Sequence, residues 1–214
     1  MSPSASWLVV NERSGSNSEA ALRELEASLA RHGLGVTRTI EFPAQELPTR
    51  SDLEAAGVSQ LIVFTGDGTL NAVIDAVSGW AGAVLVLPGG TMNLLSGRLH
   101  GEDTPCDAIL ERIARGAFRP VRPAMAACAA GRAHAGLLVG PGTAWAGVRE
   151  AMRDFDVAGL AQGAGEALAE TTGGSRVRMA DPPIGDQNGY PLIELTPSHR
   201  GLQVDGFLLE SAAE

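Results

Sequence analysis

The sequence predicts an α/β fold with a parallel sheet in its first part and a β-rich second part. Short apolar runs such as 7–10 and 61–64 show no polar alternation, which is typical of strands buried on both faces. Each run leads into a polar or glycine loop and then a helical segment, the order of a parallel sheet covered by helices. This order ends at the Arg-Pro-Val-Arg-Pro segment 119–123, which predicts two domains, 1–122 and 123–214.

The first part is predicted to contain four strand–loop–helix units. The run 7–10 is expected to be a strand, and Ser18 to cap a helix that ends at His32 and Gly33. Apolar side chains inside this helix recur at helical spacing, at Ala21, Leu22, Leu25 and Leu29. The remaining strands are predicted at 36–40, 60–64 and 83–87, and the remaining helices at 51–57, at 70–77, from 88–91 onward and at 104–115.

The second part is rich in Ala and Gly, and its pattern is less regular. Continuous strand–helix alternation is lost there, so a β-rich domain is expected. The predicted elements are two small-residue strands within 124–140, a helix at 147–155, and strands at 176–179, 192–195 and 203–209.

Composition excludes several classes of protein. The 214 residues carry 16 basic and 25 acidic side chains, a formal charge of −9, which argues against a nucleic-acid binder and a polybasic membrane anchor. All basic residues are Arg, so a Walker A loop and a lysine Schiff base are both excluded. No apolar run reaches about 18 residues and no signal peptide is evident, so a cytoplasmic protein is expected.

The sharpest motif is the segment 64–71, Phe-Thr-Gly-Asp-Gly-Thr-Leu-Asn. Gly66 and Gly68 let the backbone approach a bulky anion, and the following helix N-terminus attracts phosphate. A bare phosphate would repel Asp67, so this carboxylate is predicted to hold Mg²⁺ or a hydroxyl. The alternative is a turn that merely joins a strand to a helix.

Two further loops carry weaker signals. The segment 87–95, Leu-Pro-Gly-Gly-Thr-Met-Asn-Leu-Leu, exposes backbone N–H groups suited to an anion, and Thr91 could cap a helix or bond a phosphate oxygen. Arg13 is the cation of the first loop, although an exposed Arg is commonly just a solvated charge. Because ligands of parallel sheets bind beyond the carboxyl ends of the strands, the loops at Asn11, Gly66 and Gly89 are expected to converge on one site.

Together, in order and spacing, the segments 11–15, 66–71 and 87–95 resemble the diacylglycerol kinase catalytic-domain family. That family includes bacterial lipid kinases and sphingosine and ceramide kinases, and it shares its Gly-Gly-Asp-Gly-Thr loop with NAD kinases. The resemblance extends over residues 7 to about 118. A further match is Gly-Pro-Gly at 140–142, where the family's second domain has Gly-x-Gly before a helix.

The resemblance implies an ATP-dependent lipid kinase that uses Mg²⁺ and meets its lipid substrate at a membrane surface. Any membrane contact is expected to be peripheral and transient, because the net charge disfavours anionic leaflets. It implies a Rossmann-like three-layer α/β domain with a parallel sheet, followed by a partial or complete antiparallel β-sandwich domain. A homodimer is left open. Asp67 would be the catalytic and metal-binding residue. The residues that would contact or adjoin the nucleotide are Asn11, Arg13, Ser14, Gly66, Gly68, Thr69, Gly90, Thr91 and Asn93.

Departures from the family pattern keep alternatives open. Thr65 replaces the first Gly of the loop, Ala72 stands where many members have Glu, and Leu94 where many have Asp. The family's Asp-Gly-Glu, whose Asp is a candidate general base, does not occur, and Asp-Gly-Phe at 205–207 is the nearest sequence. The second domain is therefore expected to be incomplete. The alternatives are a soluble-substrate kinase of the NAD-kinase kind and a catalytically inactive nucleotide- or lipid-binding member.

Overall fold

The chain forms two compact units, Met1–Arg122 and Pro123–Glu214. The computed structural model describes residues 5–14, 18–129, 131–144, 176–204 and 207–210.

The first unit alternates strands and helices along the chain. Its strands are β1 (Ala5–Asn11), β2 (Val36–Phe42), β3 (Val58–Thr65) and β4 (Ala83–Pro88). Its helices are α1 (Glu19–Arg31), α2 (Arg50–Ala55), α3 (Asp67–Ala76), α4 (Leu94–His100) and α5 (Cys106–Ala114).

The four strands form one parallel sheet in the order β2-β1-β3-β4. Val9 in β1 pairs with Ile40 on one side and with Val63 on the other, and all three side chains are fully buried. Consecutive residues of β1 and β3 are buried without alternation, because helices cover the faces of a parallel sheet. The predicted α/β fold with a parallel sheet is confirmed.

One hydrophobic cluster packs α1 and α5 onto the sheet. Leu25 and Leu29 are one turn apart on α1, whereas Ile109 and Leu110 are adjacent residues on the buried side of α5. The buried members of this cluster are Leu8, Val10, Leu25, Leu29, Ile62, Phe64, Leu85, Leu87, Ile109 and Leu110.

Asp107 ties the same two helices together at the surface. Its Oδ1 atom accepts hydrogen bonds from the Ser28 hydroxyl and from Arg31, and it lies 3.1 Å from the Nε2 atom of His32. These hydrogen bonds, that of Ser28 first, hold the pKa of the Asp107 carboxyl well below its usual range. The α1–α5 contact thus has a polar edge beside its apolar centre.

Two helices begin at positions that differ from the predicted ones. The sequence places the start of α3 at Leu70, whereas the helix begins at Asp67, because the Leu70 N–H already donates to the Gly66 carbonyl at 3.0 Å. The sequence predicts that α4 begins within residues 88–91. The helix instead begins at Leu94, because Asn93 adopts the left-handed conformation (φ 50°). The glycine loop before α4 is therefore longer than predicted, and the one before α3 is shorter.

The second unit is built from short antiparallel strands. They are β5 (Ala126–Cys128), β6 (Gly131–Ala133), β7 (Leu137–Val139), β8 (Ile193–Ser198), β9 (Gly201–Val204) and β10 (Phe207–Glu210). The first two form a pair, and the other four form a sheet in the order β10-β9-β8-β7. A short 3₁₀ turn, Pro141–Ala144, follows β7 and includes part of the Gly-Pro-Gly segment. The antiparallel sheet in the second part is as predicted.

Two strand predictions in this unit are wrong. The segment 176–179 is not a strand, because only Val177 pairs, in an isolated bridge with Tyr190. The single strand predicted at 203–209 is instead the end of β9 and most of β10, which pair with each other. The predicted helix at 147–155 and the Asp-Gly pair at 205–206 lie outside the described residues. No helix in the described ranges has both the length and the apolarity to cross a membrane.

His100, the last residue of α4, joins that helix to the sheet. Its Nε2 atom lies 2.9 Å from the backbone carbonyl oxygen of Val86 in β4. Burial lowers the pKa of His100 below its ordinary value; the hydrogen bond to Val86 acts in the opposite direction, and the positive charge of Arg112 lowers the pKa further. A lowered pKa means that the unfolded chain takes up a proton at a pH where the folded chain does not.

We expect the chain to lose stability as the pH falls below about 6.5, the ordinary pKa of histidine. Between that value and the lowered folded pKa the unfolded state binds more protons, so the free energy of unfolding decreases with falling pH. Urea unfolding at several pH values should show a shallower decrease for His100→Gln than for the unsubstituted chain. His199→Gln, at an exposed position, is the matched control and should leave the slope unchanged. An unaltered slope in His100→Gln would contradict this assignment.

Candidate functional site

Three loops meet at the carboxyl edge of the parallel sheet. They follow β1, β3 and β4, which are neighbours in the sheet order, and they comprise residues 11–14, 65–69 and 88–95. We call these three loops the rim. The predicted convergence of the loops is confirmed by the hydrogen bonds between them.

Asn11 links the first loop to the first turn of α3. Its Nδ2 atom donates to the Thr69 hydroxyl oxygen at 2.8 Å, and its Oδ1 atom accepts from the Arg13 N–H at 2.9 Å. The backbone donor at Arg13 fixes which side-chain atom is oxygen, since a flipped amide would set two donors against each other. Both ends of this side chain are therefore used inside the protein.

Ser14 makes the second link between these loops. Its hydroxyl oxygen accepts from the Gly66 N–H at 3.0 Å, and the Ser14 side chain is nearly buried. The Ser14 N–H in turn donates to the Asn11 carbonyl at 3.0 Å, which closes the turn after β1. The first loop is thereby held against the end of β3 by a side chain rather than by backbone pairing.

The second and third loops touch through their backbones. A Cβ atom built on Gly90 would lie 2.5 Å from the Cα atom of Gly66, and one built on Gly89 would lie 2.5 Å from the Phe64 carbonyl carbon and the Thr65 nitrogen. Neither glycine has a positive φ, so close approach and not backbone conformation requires them. A Cβ on Gly68 would instead meet open space.

Thr65, which replaces the family's first Gly, fits this arrangement. It ends β3 without a positive φ, so its backbone does not require glycine. Its side chain is buried, and its hydroxyl donates to the Gly66 carbonyl at 3.1 Å. The departure at this position therefore leaves the loop geometry intact.

Asp67 caps helix α4 from a different helix. Its Oδ2 atom accepts from the Leu94 N–H at 3.1 Å, and its Oδ1 atom accepts from the Leu95 N–H at 3.3 Å. The N-cap residue of α4, Asn93, makes no cap bond of its own. The Asn93 amide instead bonds the Gly90 N–H (2.7 Å) and the Gly90 carbonyl (2.8 Å). Asp67 thus connects the second loop to the third.

The first turn of α3 presents donors without protein acceptors. Gly66 is its N-cap and has no side chain, and within the described part of the chain nothing accepts from the N–H groups of Asp67, Gly68 or Thr69. Free first-turn N–H groups together with the helix dipole attract anions. Arg13 lies exposed on the neighbouring loop, and its guanidinium makes no ion pair with a described residue.

The predicted site residues other than the glycines therefore divide into two groups. Those whose polar side-chain atoms bond within the rim, by the bonds given above, are Asn11, Ser14, Asp67, Thr69 and Asn93. Arg13 and Thr91 point to no partner among the described side chains and are exposed. The sequence did not predict that the backbone N–H groups of Leu94 and Leu95 bind Asp67. A cap supplied by another helix leaves no capping motif in the residues next to the capped helix.

Asp67 is a carboxylate of the rim that suits Mg²⁺. Among the described residues no three His, Cys, Asp or Glu side chains gather as a metal site. However, Mg²⁺ is commonly held by one or two carboxylates together with substrate phosphates. Each oxygen of Asp67 accepts a single N–H and keeps a second acceptor direction. Asp67 therefore fits as a single protein ligand beside a phosphate group.

A parallel sheet with glycine loops at its carboxyl edge is a common architecture of phosphate-binding domains. The diacylglycerol kinase catalytic domain family matches residues 5–126, which is more than half of the chain. The chain belongs to this family. The match confirms the resemblance carried by the segments 11–15, 66–71 and 87–95, and the kinase-type domain implies ATP and a divalent metal ion.

Two solved structures from Bacillus anthracis str. Sterne are similar to this chain. One is described as that of a presumed diacylglycerol kinase; it is 18% identical, with a TM-score of 0.48, over 69% of this chain and 54% of that one. The other, described as that of a diacylglycerol kinase, is 19% identical, with a TM-score of 0.49, over 69% of this chain and 55% of that one. The chain thus spans little more than half the length of either protein. No curated protein matches the chain.

Proposed function

We propose that this chain is the nucleotide-binding part of an ATP-dependent lipid kinase. It would transfer the γ-phosphoryl group of ATP to the hydroxyl of a diacylglycerol-like or sphingoid lipid. Family membership supports a kinase-type activity. At the level of residues, one observation carries the proposal: no described residue accepts from the three N–H groups in the first turn of α3, beside loops that are joined by hydrogen bonds.

These groups suit the triphosphate of a nucleotide. The N–H groups of residues 67–69 would bind phosphate oxygens, and the helix dipole would stabilise their charge. Gly68 leaves open space above this turn, so the backbone is accessible to a bulky group. Arg13, exposed on the adjacent loop, would add a positive charge on the same side. The rim would thereby hold the triphosphate in a fixed orientation.

Phosphoryl transfer requires mainly positioning and charge neutralisation from the protein. The lipid hydroxyl oxygen would form a bond to the γ-phosphorus while the bond to the β–γ bridging oxygen breaks, ADP would leave, and the hydroxyl proton would pass to solvent. When bound, Mg²⁺ would offset the charge of the phosphate oxygens, and Asp67 would be its protein ligand. The hydrogen bonds of Asp67 to α4 would keep its carboxylate in place.

The contact with lipid would be peripheral and transient. The chain carries a formal charge of −9, which anionic membrane surfaces repel. The acceptor would therefore be recognised as a single molecule presented at a surface, and not through a charged anchor of the protein.

The proposal is tested by transfer of ³²P from [γ-³²P]ATP. The chain is incubated with Mg²⁺ and mixed micelles that contain diacylglycerol or a sphingoid base, and with NAD in a parallel reaction. Labelled lipid is the expected product. Labelled NAD without labelled lipid would select the soluble-substrate alternative. ATP binding without any labelled product would favour a non-catalytic binding module, and either result would overturn the lipid kinase proposal.

A further inference from the structure

We propose that Asn11 is a positioning residue that acts on a bound phosphate through Thr69 and not by direct contact. This inference rests on the proposed function, because it concerns how the rim binds the nucleotide. Asn11 is the last residue of β1 and is half-buried, while Thr69 is the third residue of α3. Their side chains join two elements that are 58 residues apart in the chain.

The direction of this hydrogen bond decides what Thr69 does. A hydroxyl has one proton to donate and can also accept. The Asn11 amide nitrogen can only donate, so at 2.8 Å the Thr69 oxygen is the acceptor. The Thr69 proton must then point elsewhere, and no described residue accepts it. Asn11 thus sets Thr69 as a donor, beside the three N–H groups of the same helical turn that have no acceptor among the described residues.

An anion is the ligand that this arrangement suits. The first turn of α3 offers backbone donors and the positive end of the helix dipole, and the hydroxyl of Thr69 adds a side-chain donor in the same turn. A phosphate oxygen accepts from both kinds of donor. Without Asn11 the hydroxyl of Thr69 would rotate freely. Fixing its orientation when the ligand binds would then cost conformational entropy and weaken the binding.

The second contact of Asn11 supports this role. Its Oδ1 atom accepts from the Arg13 N–H at 2.9 Å, which holds the amide plane so that Nδ2 faces Thr69. The side chain is therefore oriented by the first loop before any ligand arrives. One of the two N–H bonds of Nδ2 is thereby directed at Thr69, and this is the link through which Asn11 would act on a bound phosphate.

The test is a double-mutant cycle read as ATP affinity. Isothermal titration of Mg-ATP, without lipid, is carried out on the unsubstituted chain and on Asn11→Leu, Thr69→Val and the double variant. We expect each single change to weaken ATP binding by roughly tenfold. The double variant should bind within about threefold of the weaker single variant, because one hydrogen-bonded unit is lost only once.

Further variants separate positioning from a general loss of structure. Thr69→Ser keeps the hydroxyl and should retain affinity within about threefold, and Asn11→Ser, too short to reach Thr69, replaces Asn11→Leu if that variant unfolds. Gln45→Glu, at an exposed amide position outside the rim, controls for expression and handling. Melting temperatures of all variants should remain close to that of the unsubstituted chain.

The outcomes are distinct. If Asn11→Leu still weakens ATP binding by about tenfold in the Thr69→Val background, Asn11 acts independently of Thr69 and the positioning role is wrong. The lipid kinase proposal would survive that result. If the unsubstituted chain binds no Mg-ATP, the proposed function is wrong, and this inference is overturned with it.

Discussion

Asp67→Asn is expected to lower phosphoryl transfer by at least about a hundredfold while the chain stays folded. The substitution removes the negative charge that would hold Mg²⁺ beside the phosphates. It also replaces one of the two carboxylate oxygens that accept from α4 with an amide donor, which would face a backbone N–H. The loss of this half of the cap should reduce the free energy of unfolding by about 1 kcal/mol.

The measurement combines the ³²P assay with urea unfolding of the same preparations. Glu26→Gln, which neutralises an exposed carboxylate on α1, is the matched control and should change neither quantity. Near-normal transfer by Asp67→Asn would remove Asp67 from the mechanism. If transfer is lost but ATP affinity without Mg²⁺ is unchanged, the contribution of Asp67 lies in the metal and not in the shape of the rim.

The convergence of the loops could be predicted because strand direction alone determines it. The apolar runs at 7–10 and 61–64 identify strands buried on both faces, and parallel strands bring their carboxyl ends to one edge. The loops at Asn11, Gly66 and Gly89 had to meet there once the sheet was parallel. Nothing in this inference needs the conformation of a single side chain.

The limits of the helices were harder to predict, because local composition was misleading. Gly66 and Gly68 have the composition of a loop, yet the first turn of α3 already includes Gly68. Asn93 takes a left-handed conformation that keeps the third loop out of α4, and the helix is capped by Asp67, 27 residues earlier. Such a bond depends on tertiary contact between two loops, so it cannot be predicted from the residues that are adjacent in sequence to the helix.

The role of individual side chains was predictable only in part. The resemblance placed Asn11, Ser14 and Asn93 at the nucleotide site, and the structure places all three in the rim. In the structure their polar atoms bond the protein itself, to Thr69, Gly66 and Gly90 respectively. The motif therefore predicted which residues gather at the site, whereas their bonding partners within the protein became known only from the structure.

Gly90→Ala is expected to destabilise the first unit and to abolish nucleotide binding. The added Cβ would lie 2.5 Å from the Cα atom of Gly66 and 3.3 Å from its nitrogen, so backbone must move against backbone. Overpacking of this kind costs about 1–3 kcal/mol of unfolding free energy. Since the Gly66 N–H is the donor to Ser14, separating the two loops would also loosen the hold on the first turn of α3.

Gly68→Ala is the matched substitution two residues beyond Gly66. Its Cβ would meet nothing within 4 Å, and its φ is not positive, so we expect unchanged or slightly higher stability in urea unfolding. Because the methyl group would enter the open space above the α3 turn, Mg-ATP affinity should nevertheless fall. Gly35→Ala, at an exposed and open position directly before β2, should alter neither quantity. Equal stability of Gly90→Ala and Gly68→Ala would contradict the close packing of the two glycine loops. Unchanged Mg-ATP affinity in Gly68→Ala would place the nucleotide away from α3.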